Sequence, residues 1–179
     1  PGSRGVAMVG LLPSRPQRGR SGFRNLNSLA LNFNTLFKRH CQDIPHGRST
    51  PEKHLQSWMT ADAYRHARVM QCLDRVMGDT MMTIFVADEV ALPIGERQRV
   101  VCDVLALRKS SEGHCIPVVM ELKSARQMKR LIEQVNTYAD VMFQQSTAFE
   151  ALYSAILGEP IGFTAAPEKW IVWPRAGDD

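Results

Sequence analysis

Asp103, Glu121 and Lys123 are the residues of this chain whose types and spacing best suit chemistry. Asp103 lies inside the run Arg-Val-Val-Cys-Asp-Val-Leu-Ala-Leu (99–107), and Glu121 and Lys123 close the run Pro-Val-Val-Met-Glu-Leu-Lys (117–123). Both runs have the β-branched, apolar character of strands. Carboxylates are rarely buried in such segments unless they are paired or bound to a cation, and the two-residue period of a strand sends Glu121 and Lys123 to one face. If the runs form an antiparallel hairpin whose loop is centred on Glu112 and Gly113, Asp103 stands directly opposite Glu121. Facing residues have Cβ atoms roughly 4.5–5.5 Å apart, near enough for both carboxylates to hold one metal ion. The competing reading is a cross-strand salt bridge on an exposed sheet face, against which the apolar residues on both faces of each run count.

Asp103, the triplet Glu121-Leu122-Lys123 and the segment Gln134-Val-Asn-Thr-Tyr138 together resemble the signature of the PD-(D/E)xK phosphodiesterase superfamily, in the subset that carries Q-x-x-x-Y. The resemblance covers about residues 51–174, with Cys102 where the signature has proline. It implies an α/β fold with a restriction-endonuclease-like α/β/α core, a mixed central sheet flanked by helices. It also implies a metal-dependent nuclease that hydrolyses phosphodiester bonds, with DNA the expected substrate. Mg²⁺, or Mn²⁺, would be held by Asp103, Glu121 and the backbone carbonyl of Leu122, and Glu52 is a further candidate ligand. Lys123 would face the attacking water or a nonbridging phosphate oxygen. Gln134 and Tyr138, four apart on one helix face, would support the site and touch the nucleic-acid strand, and Arg126, Lys129 and Arg130 would contact phosphates.

The chemistry suits these residue types. Phosphodiester hydrolysis needs an activated water and charge neutralisation on the phosphate, which a metal ion supplies. Mg²⁺ is a hard cation that takes oxygen ligands, keeps several waters and is often held by one or two carboxylates. Ordinary readings stand beside each role: a solvated glutamine, a half-buried tyrosine, a solvated basic run, and Glu52 facing the positive end of a helix. Asp88 and Glu89 are weaker candidates of the same kind as Glu52. The alternative function is a catalytically inactive nuclease-fold module that binds nucleic acid or a protein partner.

The elements that must position these groups are readable from periodicity. Thr50 can cap a helix with Pro51 in its first position and Glu52 in its first turn. An apolar stripe of Leu55, Trp58, Met59, Ala63, Tyr64, Ala67, Met70, Leu73 and Met77 predicts that this helix runs on to Gly78. A strand is expected over 81–92, then the two site strands. One or two helices follow over 124–149, with Leu131, Val135, Tyr138, Ala139 and Met142 on one face, and then a last strand over 169–173.

With 179 residues the chain suits one domain, read as a nuclease-like domain over 49–179 behind a basic arm over 1–48. The arm includes a short helix around 25–40, and Pro1-Gly-Ser has the look of an expression scar. Residues 1–50 hold eight basic side chains against the single acid Asp43, a balance of +7, so the remainder carries −3 of the total +4. Such an arm can add sequence-independent affinity for phosphate backbones. A plain solvated tail and an organellar leader are the other readings. No apolar run approaches the ~18 residues of a membrane span, so no membrane is expected. An intracellular location, cytoplasmic or nucleoid-associated, is expected, with a homodimer or partner subunits left open. The four cysteines and five histidines show no metal-binding spacing.

Overall fold

The computed structural model describes residues 51–94, 98–123 and 129–173. The basic arm, its short helix and Arg126 lie outside the described residues. Pro51–Arg65 forms helix α1 and Gln71–Met77 forms α2. Three strands follow: β1 at Met82–Pro93, β2 at Arg99–Lys109 and β3 at Cys115–Leu122. Helices α3 at Lys129–Gln144 and α4 at Ser146–Leu157 then lead to strand β4 at Glu168–Val172.

The long helix expected to run to Gly78 is two helices. Ala67 and Arg68 take left-handed backbone angles, φ 50° and 78°, and the chain between the helices lies along the edge of β1 instead. There Met70 donates its N–H to Thr83 O at 2.7 Å, and Phe85 donates to Arg68 O at 2.8 Å. Val69 bridges Ile84. An edge strand leaves backbone groups unpaired, and satisfying them outweighs the uninterrupted apolar stripe on which helical periodicity depends. The Asp62 carboxylate accepts the Cys72 N–H at 2.9 Å, so α1 caps the first turn of α2 from outside it.

The sheet has the order β1-β2-β3-β4. β1, β2 and β3 form an antiparallel meander, and β4 adds in parallel to β3 through the crossover made by α3 and α4. Val104, Leu105, Ala106 and Leu107 are all buried although they alternate between faces. Both faces of β2 are therefore covered, as in a sheet flanked by helices. α3 presents Leu131, Val135, Tyr138, Ala139 and Met142 to the core, as its periodicity predicts, and α4 adds Phe149, Leu152, Tyr153 and Ile156. The fold is α/β with a four-stranded mixed sheet between helices. At the hairpin end of the sheet the buried Arg108 pairs with Asp79 and Glu168 and lies 5.7 Å from the ring centre of Trp170.

Gly158 ends α4 at φ 77° and donates its N–H to Ser154 O. A Cβ there would meet nothing within 4 Å, so Gly158→Ala isolates the backbone cost. It should lower unfolding free energy by about 1–2 kcal/mol, whereas Gly162→Ala, where neither crowding nor a positive φ stands in the way, should be neutral or slightly stabilising. Urea unfolding of both variants checks this.

Candidate active site

The β2 and β3 ladder runs from Lys109↔Cys115 to Val104↔Met120. Carried one step further, this register sets Asp103 opposite Glu121, as the hairpin spacing predicts, but regular pairing stops before that step. Beyond it β2 stays with β1 as far as Pro93↔Arg99. β3 stays with β4, and Lys123 donates its N–H to Val172 O at 2.9 Å. The two central strands thus part at Asp103 and Glu121.

Parting strands leave backbone donors and acceptors to be satisfied, and side chains of the candidate site satisfy several of them. Leu122 donates its N–H to Asp103 Oδ2 at 2.7 Å. Gln134 reaches from α3 and donates through Nε2 to Val101 O at 2.8 Å and to Glu121 Oε2 at 2.9 Å. The Cys102 thiol lies 3.0 Å from Val104 O and 3.4 Å from Met120 O. Lys123 Nζ holds Glu121 Oε1 at 3.0 Å.

Glu121 is only 4% exposed. Burial, and then the negative charge of Asp103, push its carboxyl up to about 7, against the pull of Lys123. Burial would lower the Lys123 ammonium, but its hydrogen bond and charge contact with Glu121 raise it, helped by the fields of Asp103 and Glu52. Glu52, in the first turn of α1, is therefore close enough to act on the lysine. Leu122 enters this cluster through the N–H that it gives to Asp103.

A second group of polar residues adjoins the first. Residues Glu89 and Asp103 lie at one level of the β1 and β2 ladder, between the pairs Asp88↔Val104 and Val90↔Cys102. Glu89 has φ 48°, and β1 is bulged between Phe85 and Ala87. Such irregularities re-aim side chains. Asp88 is buried and accepts a hydrogen bond from Gln56 Nε2 at 3.0 Å. Its carboxyl is pushed up to about 7, chiefly by burial and further by Asp103, with Lys53 and Gln56 opposing. Lys53 Nζ donates to Gln56 Oε1 at 2.9 Å and pairs with Glu89.

The structure thus brings together Asp103, Glu121, Lys123 and Gln134, with Glu52 nearby. Tyr138, expected to support the site and touch a strand, is 1% exposed and its ring packs edge-on against Phe149, so its side chain lies in the core. The four-residue spacing puts Gln134 and Tyr138 on one side of α3 about one turn apart, and at those two levels the glutamine meets Val101 and Glu121 while the tyrosine packs in the core. Lys129 and Arg130 open α3, and their side chains, like all of Arg126, lie outside the described residues. Lys53, Gln56 and Cys102 are additions to the sequence reading. The signal for Gln56 was present, since it is a polar residue on the stripe shared by Met59 and Ala63.

Two outcomes are expected. The Tyr138 hydroxyl is buried with no hydrogen-bond partner among the described residues, so Tyr138→Phe should keep or slightly raise the melting temperature, as thermal unfolding will report. The second concerns pH. Asp88 and Glu121 are raised to about 7 in the fold from about 4 in the unfolded chain, so the native state binds the extra protons. Their contribution to stability is complete below pH ~4 and is lost as pH rises through about 7. In chelator, melting temperature should fall over that window through these two groups, and the Asp88→Asn/Glu121→Gln double variant should flatten the fall. No family model, curated protein or solved structure matches this chain.

Proposed function

We propose that the chain is a divalent-metal-dependent phosphodiesterase acting on nucleic acid, DNA first, on a core of the restriction-endonuclease-like kind. The observation that carries the reading is the meeting of Asp103, Glu121, Lys123 and Gln134 at the point where β2 and β3 part. Adjacent carboxylates where the β2 and β3 ladder ends, one of them buried, carry more negative charge than one lysine offsets. A hard divalent cation answers that excess with oxygen ligands and retained waters. Asp103 and Glu121 would hold Mg²⁺ or Mn²⁺, which supplies an activated water and neutralises charge on the phosphate. Gln134 fixes the Glu121 carboxylate, and Lys123 presents a cation where negative charge develops on phosphate oxygens.

A second reading is favoured by a specific observation. Asp103 and Glu121 already accept hydrogen bonds from Leu122, Lys123 and Gln134. A module of the same fold that binds nucleic acid or a protein without cleaving is consistent with that. Linear, circular and single-stranded substrates incubated with Mg²⁺, Mn²⁺ or chelator separate the readings, because only the first expects metal-dependent cleavage. As for a membrane, no helix among the described residues is long and apolar enough to cross one.

Asp103→Asn keeps an oxygen to accept the Leu122 N–H and removes one of the two neighbouring charges. The metal-free variant should therefore melt at the same or a higher temperature, since like charges in proximity disfavour double ionisation. Cleavage in Mg²⁺ should fall by two orders of magnitude or more, roughly the loss seen when a main electrostatic contributor is removed. A lower melting temperature with cleavage intact would make Asp103 a structural acceptor and overturn the reading.

A further inference from the structure

Glu121 gives its two carboxylate oxygens to partners of different kinds. Oε2 takes the Gln134 amide at 2.9 Å, and the same amide nitrogen holds Val101 O of β2 at 2.8 Å. That bond is anchored in strand backbone, so it fixes the carboxylate from one side. Oε1 takes the Lys123 ammonium at 3.0 Å. The Lys123 backbone is pinned, since its N–H goes to Val172 O. Its side chain, however, is long and 19% exposed, against 5% for the side chain of Glu121. The lysine is thus the partner of Glu121 that can swing away without disturbing either strand.

The position it holds is the one that a metal ion would need. The negative charge of Asp103 raises both the Glu121 carboxyl and the Lys123 ammonium, so the ammonium lies in the field of the same two carboxylates that would share a divalent ion. An ammonium at hydrogen-bond distance from Oε1 and a divalent ion on that oxygen are like charges at close range, in a place where burial limits screening. They are alternative occupants. Exchange of one for the other keeps the buried carboxylate paired throughout, whereas loss of the lysine without a replacement leaves a buried charge uncompensated.

We propose that Lys123 is a displaceable counter-ion of the metal site: its ammonium and a divalent ion compete for Glu121 Oε1, and the ammonium reaches a phosphate oxygen of the substrate only when the ion is seated. The proposal rests on the phosphodiesterase reading and adds an order of events to it, metal before the contact of lysine with phosphate. Gln134 keeps the carboxylate in place during the exchange.

The test uses the full chain and reads binding as well as cleavage. Ca²⁺ is titrated by calorimetry at pH ~8.5, above the range in which the Glu121 carboxyl takes up a proton. Lys123→Gln should bind Ca²⁺ about tenfold tighter than the unaltered protein, the size expected for a single and a double charge a few ångströms apart even in water, and Lys123→Arg should bind it no tighter. A second measurement needs no variant to fold: acetylation of the unaltered protein, read by peptide mass spectrometry, should label Lys123 several-fold faster in Ca²⁺ than in chelator, while Lys109 and Lys169 keep their rates. With a short DNA duplex, Lys123→Gln should flatten the slope of log affinity against log salt by about 0.9 in Ca²⁺, the change for one lost phosphate contact, and leave the slope unaltered in chelator. Equal or weaker Ca²⁺ binding by Lys123→Gln, labelling of Lys123 that does not rise with Ca²⁺, or the same change of slope with and without Ca²⁺ overturns the proposal. If the unaltered protein still binds Ca²⁺ and cleaves in Mg²⁺, the phosphodiesterase reading stands without it. An unaltered protein that neither binds Ca²⁺ nor cleaves in Mg²⁺ removes both.

Discussion

The parting of β2 and β3 is the constraint on which the rest of the site depends. A sheet interior tolerates unpaired backbone groups poorly, because a buried N–H or C=O without a partner loses its bond to water and gains nothing in return. Here β2 follows β1 and β3 follows β4, and the opened backbone is answered by Asp103, Gln134 and Cys102. Two of these three side chains are the ones on which the proposed chemistry depends. Supporting the fold and shaping the site are one arrangement, and Gln134 shows this most directly, since its single amide nitrogen serves both a strand carbonyl and the Glu121 carboxylate.

The electrostatic consequence is an excess of negative charge in a partly dry place. Burial pushes both Asp88 and Glu121 up to about 7, and in each case the neighbouring Asp103 adds to the effect. Lysines oppose it from two sides, Lys123 from β3 and Lys53 from α1. Such an arrangement is costly to a fold, and shifted groups gathered in one place are more common at functional sites than elsewhere. The far end of the sheet makes the contrast. There the guanidinium of Arg108 bonds two carboxylates, Asp79 and Glu168, and lies beside the Trp170 ring, and Arg108 holds the exposed Asp79 carboxyl below its usual range instead of above it.

Helix α1 joins the site through an unusual route. Its packing against the sheet is apolar, with Met59 and Ala63 fully buried, yet its first turns carry Glu52, Lys53 and Gln56 toward the strand acids. The break after Arg65 lets the chain turn and pair with β1. An unbroken helix to Gly78 would leave that edge of β1 without the partners that Arg68 and Met70 provide. The same edge strand that ends the helix also carries Asp88 and Glu89 to its polar first turns.

Local pattern carried much of this in the sequence. The apolar runs located all four strands within a few residues, most plainly β2 and β3, whose burial on both faces leaves a near-continuous apolar composition, and the loop at Glu112 and Gly113 set a register that, carried on, places Asp103 against Glu121. The stripe on α3 named its buried face correctly for the same reason. What only the tertiary structure decided were outcomes of competition between distant segments. The split of α1 from α2 depends on the unmet hydrogen bonds of an edge strand many residues away, and helical periodicity contains no record of them. The end of the β2 and β3 ladder depends on each strand's preference for its other neighbour. Tyr138 and Gln134 share a helix side, and only the position of the sheet beneath α3 sends one hydroxyl into the core and one amide to a carboxylate. The contributions of Lys53, Gln56 and Cys102 likewise arise where α1, β1 and β2 meet, since the strength of a polar contact in a protein is set by which groups share a dry space and not by their order along the chain.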